Sequence, residues 1–221
     1  MPRGVAIAEP RQQLFAALER LIAEEGPGRL TSRAVTREAG VATGLLYAHF
    51  SNFDGFLVGY AVDRAFQISS LATNLPERAG SGTVAGNLSD AALAPPLGML
   101  LAVTRLMACR PELATEVEAV LGDGAAGLRA VERATADYLT AERQLGRVPV
   151  DTDVEALALA VVGVLHHVAL TGETQPAAQS RIRRTMAALT AGFPAVAQPG
   201  RDLTVSPRHA GQSLPTGDDP P

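Results

Sequence analysis

Tyr47 and His49, two side chains able to hydrogen-bond a phosphate oxygen, stand two apart at the end of a short helical run. Leu46 and Phe50 in that run are four apart and share one face. With that face turned inward, Tyr47 and His49 fall on the two flanks, and Gly44, Leu45 and Ala48 point outward. A preceding short helix is expected from Thr31 or Ser32, either of which can cap it, through Ala39, with Gly40 closing its end. Val35 and Val41 are placed to lock the two helices together. This is the layout of a helix-turn-helix, with one helix laid in the major groove of DNA and its polar flanks against the phosphate walls.

Other chemistries find little support. Cys109, the single cysteine, has no histidine near it in sequence, and one cysteine permits no intrachain disulfide. No HExxH, acidic metal-binding cluster or phosphate loop is present. His166 and His167 are adjacent, and neighbours on a helix point about 100° apart, so they cannot share one metal ion. Neither a catalytic centre, a metal nor a cofactor is expected.

The elements that must position Tyr47 and His49 are helical throughout. Leu14, Leu18, Leu21 and Ile22 recur at helical spacing before Gly26-Pro27-Gly28. Two short helices follow, over 31–39 and 43–49, and Ser51 or Asn52 caps a longer one that fades by Asn74. Residues 76–87 read as a loop. Further helices are expected from Pro95 or Pro96 to Cys109, Pro111 to Gly122, Ala125 to Leu145, Val154 to Leu170 and Ala177 to Gly192. The total is about nine, an all-α chain. Residues 1–52 form a three-helix head, 53–198 a helical bundle, and 199–221 a disordered tail rich in Pro and Gly.

Apolar residues make up 47% of the 221, enough for a sizeable core. Seven of the nine aromatics lie between Phe15 and Phe66, which leaves the second block an aliphatic interior. The run Val154–Leu170 is apolar on nearly every side and is expected to be buried all round. Its most apolar stretch falls short of the ~20 residues of a membrane span. With neither a membrane span nor a leader peptide expected, the reading is a cytoplasmic protein. The formal charge of −4 excludes a protein that coats nucleic acid nonspecifically. Residues 1–52 hold six Arg against five Glu, and the chain has no lysine, so a sequence reader here works with little local positive charge.

Ala39-Gly40-Val41 followed by Gly44-Leu45-Leu46-Tyr47-Ala48-His49-Phe50 resembles the TetR family of one-component regulators across roughly Leu14 to Tyr60. The resemblance implies a homodimer that reads a palindromic double-stranded operator and is released by a small effector, most often as a repressor. It assigns phosphate contacts to Tyr47 and His49, and adds Arg33, Thr36, Thr43, Gly44 and Leu45 as further DNA-contact candidates. Leu45 suits a thymine methyl, and Thr43 a base or phosphate. This chain departs from the family pattern at Ala42, where a capping Ser is usual, and at Thr43, Ala48 and Phe53, where basic residues are common. Thr43 is then the substitute cap. A modest-affinity binder follows, and the alternative is an all-α small-molecule-binding protein whose head is degenerate.

For an effector pocket the sequence offers Met99, Leu100, Val103 and Met107 on one helix, with Tyr138, Val162 and His166 on later ones. An aliphatic pocket of that kind suits an uncharged or weakly polar molecule. The last two helices resemble the family's dimerisation pair, with Ala158, Gly163, Leu165, Met186, Leu189 and Phe193 as candidate interface residues.

Overall fold

The computed structural model describes residues 9–122, 126–171 and 174–194. Among them the chain is all-α. Helix α1 spans Pro10–Glu25, α2 Ser32–Glu38, α3 Thr43–His49 and α4 Phe53–Ala72. Then come α5 (Val84–Leu93), α6 (Leu97–Cys109), α7 (Glu112–Leu121), α8 (Gly127–Gln144), α9 (Val154–Thr171) and α10 (Gln175–Leu189). Short 3-10 turns cover Pro27–Arg29 and Pro76–Arg78. The expected tail, 199–221, lies outside the described residues.

The open choices of cap resolve simply. Thr31 caps α2, its Oγ1 accepting from the Ala34 N–H at 3.1 Å, and Asn52 caps α4 through the Gly55 N–H at 2.7 Å. Helix α5 corrects the expectation of a loop running to residue 87. Thr83 Oγ1 accepts the Gly86 N–H at 3.0 Å, and Val84, Leu88 and Ala92, four apart, are buried. Gly80, Ser81 and Gly82 just before it made the segment look like loop to its end.

Helices α1, α2 and α3 pack on one another, and α1 also packs on α6. The bundle is built from α4 on α7 and α8, α8 on α9, α9 on α6, and α10 on α5. Helix α9 meets the length and hydropathy of a membrane span, contrary to the expectation of too short a run. Val154, Ala158, Val161, Val162, Leu165, Val168 and Ala169 are buried along it, as on a core helix of a bundle. It is not buried all round, however. Leu159 is 59% exposed and Leu170 49%, with Gly163, His166 and His167 also at the surface, because no helix among the described residues covers that side.

Helix α4 joins head to bundle through a buried ion cluster. Arg64, 6% exposed, donates from Nε to Glu19 Oε1 of α1 at 2.6 Å. Its Nη1 donates to Gln12 Oε1 of α1 at 2.9 Å and to Asp63 Oδ2 at 2.7 Å. The guanidinium also lies over the Phe15 and Tyr60 rings, 5.5 and 5.4 Å from their centroids. Burial, and then the Glu19 charge, push the Tyr60 phenol well above its ordinary value. A second polar network lies in the bundle, where Asn87 Nδ2 donates to the Tyr138 hydroxyl at 3.0 Å. That hydroxyl donates to buried Glu142 at 2.7 Å, and Glu142 pairs with Arg147 at 3.0 Å. Burial likewise raises the Tyr138 phenol.

Two outcomes are expected. Arg64→Ala strands Glu19 and Asp63 and costs about 3 kcal/mol in urea denaturation, with Arg64→Lys recovering part of it. Tyr60 and Tyr138 hold their protons in the folded state to higher pH than in the unfolded chain. Stability is therefore unaffected by them below about pH 10 and falls as pH rises past it, as an alkaline denaturation series reads directly.

Candidate DNA interface and ligand cavity

The helix-turn-helix is held from behind. Val35 and Leu46 are fully buried, and Gly40, at φ 68°, makes the turn between α2 and α3 with a backbone most side chains disfavour. The Val41 N–H donates to the Thr36 carbonyl at 2.9 Å and closes it. Gln13 of α1 donates to the Ala39 carbonyl at 2.8 Å, and Arg20 pairs with Glu38 at 2.6 Å. Phe50 ends α3 among the rings of Phe15 (5.9 Å) and Phe56 (5.2 Å, edge-on). On its other side α4 has Gly59, where a Cβ would come within 2.8 Å of the Phe50 ring. The aromatic residues concentrated in this part of the sequence thus set the angle between head and α4.

Facing away from this core, Arg33, Gly44, Tyr47, Ala48 and His49 are exposed. Tyr47 is fixed by its hydroxyl, which donates to Ser32 Oγ of α2 at 3.1 Å. Two of the candidate contacts are corrected. Thr36 is buried at 1% exposure and donates back to the Ser32 carbonyl at 2.9 Å, which withdraws it from any groove. Thr43 is not a cap, since α3 has no side-chain cap at its N-terminus, and its hydroxyl is joined to that of Thr36 at 3.1 Å. Leu45 is half-buried rather than outward. Sequence reasoning missed Ser32, Gly59 and Arg37. Arg37 is exposed four residues after Arg33 on α2, a spacing that puts both on one side.

In the bundle, α4, α6, α7, α8 and α9 line a cavity of about 640 Å³ that opens to solvent. Val103, Met107 and His166 line it. Met99, Leu100, Tyr138 and Val162 do not, which corrects their candidacy. Met99, Leu100 and Val162 belong to the main core, and Tyr138 is fully buried in the network with Asn87 and Glu142. Unforeseen liners are Ala61, Ala65 and Ile68 of α4 and Val117 of α7. Their spacing on α4 signals only a buried face, and nothing in a single sequence distinguishes a face on a void from a face on a neighbour.

The dimer candidates divide as well. Ala158, Leu165 and Met186 are at most 1% exposed within the single chain, so they pack its own core and are corrected as interface residues. Leu189 and Phe193 are half-buried against that core, and Gly163 is exposed.

Residues 14–58 match the family model described as bacterial regulatory proteins, tetR family. The match covers the head, α1 to the first turns of α4, and not the bundle. An uncharacterised HTH-type transcriptional regulator of Haemophilus influenzae is 40% identical over 50 residues, 23% of this chain and 27% of that relative's length. Among solved structures, the fatty acid degradation regulator FadR of Bacillus halodurans superposes with a TM-score of 0.63 at 16% identity, covering 85% of this chain and 98% of its own. FadR of Bacillus subtilis, in complex with stearoyl-CoA, gives 0.62 at 18% identity over 82% of this chain and 98% of its own. A transcriptional regulator of Rhodococcus gives 0.60 at 21% identity over 86% and 100%. These likenesses place the bundle in the same fold.

Packing and surface positions of the head are expected to separate cleanly in urea denaturation. Gly59→Ala forces a methyl into the Phe50 ring and costs about 1–3 kcal/mol. Tyr47→Ala removes an exposed side chain and is expected to stay within about 1 kcal/mol of the parent.

Proposed function

We propose that the protein is an effector-responsive repressor that binds a palindromic operator as a homodimer through the outer face of α3 and is released when its cavity is filled. The observation that carries the reading is the position of α4. Ala61, Ala65 and Ile68 line the cavity, and Tyr60, Asp63 and Arg64 on the same turns hold α1 of the head. An occupant that moves α4 therefore moves the head, which is what a binding free energy shared between two sites requires. Tyr47 and His49 are the phosphate contacts, with Arg33 and Arg37 of α2 beside them and Gly44 leaving room for the backbone to approach. The dimer uses the uncovered side of α9, where Leu159, Gly163 and Leu170 face solvent, so that two copies bury it together. The effector is a small molecule. The Bacillus subtilis neighbour, solved in complex with stearoyl-CoA, supports ligand binding by a protein of this fold.

A second reading, a ligand-binding protein with a degenerate head, is favoured by one feature. Among the described residues, α3 carries no lysine or arginine, and Ala42 leaves it uncapped.

A gel shift against DNA upstream of the protein's own gene decides between the two. The repressor reading expects a complex at low salt, weakened at least tenfold by Tyr47→Ala and by His49→Ala. Its log–log salt slope is expected nearer −4 than −10, because few cations meet phosphate. Absence of any complex at low salt would establish the degenerate head.

A further inference from the structure

The cavity changes character between its interior and its mouth. Ala61, Ala65, Ile68, Val103 and Val117 line it while being at most 8% exposed, so the interior wall is hydrocarbon. Thr104 supplies the one hydroxyl of the described lining, and its Oγ1 has no hydrogen-bond partner. The liners that reach solvent hold the charges. Glu118 and Arg129 pair there at 3.2 Å, and His166 is a further exposed liner. Arg129 also lines a second concavity of about 400 Å³, shared with Glu132, Arg133 and Glu155.

The two concavities meet at Arg129, and their described liners hold three carboxylates, Glu118, Glu132 and Glu155, against two guanidiniums, Arg129 and Arg133. The local balance is thus −1, and Arg129 is already paired with Glu118. An anionic head arriving at the mouth meets no net attraction, and any charge carried into the hydrocarbon interior loses its hydration without a partner. An uncharged oxygen-bearing head escapes both costs. It can accept from a guanidinium or donate to a carboxylate at the mouth, and an oxygen that met Thr104 would satisfy an orphaned hydroxyl.

We infer that the effector is a mainly apolar molecule with one uncharged hydrogen-bonding head, an alcohol, ketone or ester, and that the cavity discriminates against anionic amphiphiles. This rests on the cavity being the effector site, and it separates this chain from the stearoyl-CoA-bound neighbour in ligand class.

Calorimetric titration of the full-length protein against decan-1-ol and against decanoate, at pH 7.5 and low salt, tests it. The alcohol is expected to bind at least tenfold more tightly than the carboxylate. The double variant Glu132→Gln with Glu155→Gln turns the local balance from −1 to +1 and is expected to narrow that ratio at least threefold. Equal or tighter binding of decanoate overturns the inference, as does a ratio that the double variant leaves unmoved. If neither compound binds, the reading of the cavity as an effector site falls as well, and the DNA gel shift stands independently of both.

Discussion

Helix α4 is where the two halves of this molecule meet, and adjacent residues on it serve opposite partners. Arg64 points at α1, where Glu19 and Gln12 take its N–H groups, and Ala65, the next residue, lines the cavity. About 100° of helix rotation separates the two, so neither can shift without the other. Burying a guanidinium costs several kcal/mol of hydration, recovered here by hydrogen bonds to two carboxylates and an amide and by two aromatic rings. Arg110 ties a second point, reaching from the α6–α7 junction to Asp54 in the first turn of α4 at 3.0 Å and to Glu112 in the first turn of α7. Hydrogen bonding to Glu112 raises the Arg110 guanidinium and lowers the Glu112 carboxyl. The helix is therefore held near its start by ions in water and at its middle by ions in the core.

A rigid connection of this kind requires that the head itself not deform. The ring cluster of Phe15, Phe50, Phe53, Phe56 and Tyr60 meets that requirement, with centroids between 5.2 and 5.9 Å apart at tilted, edge-on and stacked angles. Gly59 lets α4 approach Phe50 at a distance where a Cβ would press on the ring. Polar contacts then fix what the packing leaves loose. Ser32 restrains Tyr47, and the Thr36–Thr43 hydroxyl pair pins α2 to α3. These threonines set the geometry between the two helices, and the Thr36 hydroxyl is buried in doing so.

How much of this the sequence disclosed depends on the range over which each signal acts. The turn at Gly40 and the inward pair Leu46 and Phe50 are local, set by spacings of three or four residues, and they could be read directly, while the caps were narrowed to Thr31 or Ser32 and to Ser51 or Asn52. Family resemblance carried the rest of the head. The cavity was half legible. Val103, Met107 and His166 line it, but Tyr138 on α8 faces Asn87 of α5, a helix hidden behind a Gly-Ser-Gly run that reads as loop. Ala158, Leu165 and Met186 look like interface residues because they are apolar on apolar helices. Only three-dimensional packing reveals that the chain's own core has already claimed them. Conversely, Leu159 and Leu170 looked like core and stand in solvent, since hydropathy measures preference for burial and not what provides it.

The sparse chemistry of the head and the rigid hold on it are consistent with one another. A regulator is switched when its effector's differential affinity for the two states exceeds what DNA contributes to the bound one. Moving such an equilibrium from 1:99 to 99:1 takes about 5.5 kcal/mol. An effector recognised through hydrocarbon walls and a few neutral hydrogen bonds gains its affinity mostly by burial, and only the fraction that differs between states does the switching. A head gripping phosphate through a full set of lysines and arginines would demand a larger difference than such a ligand offers. On the proposed reading, Ala42 and Ala48 in place of a cap and a cation lower the force an effector has to overcome, and the Arg64 cluster is the contact through which α4 would pull on the head.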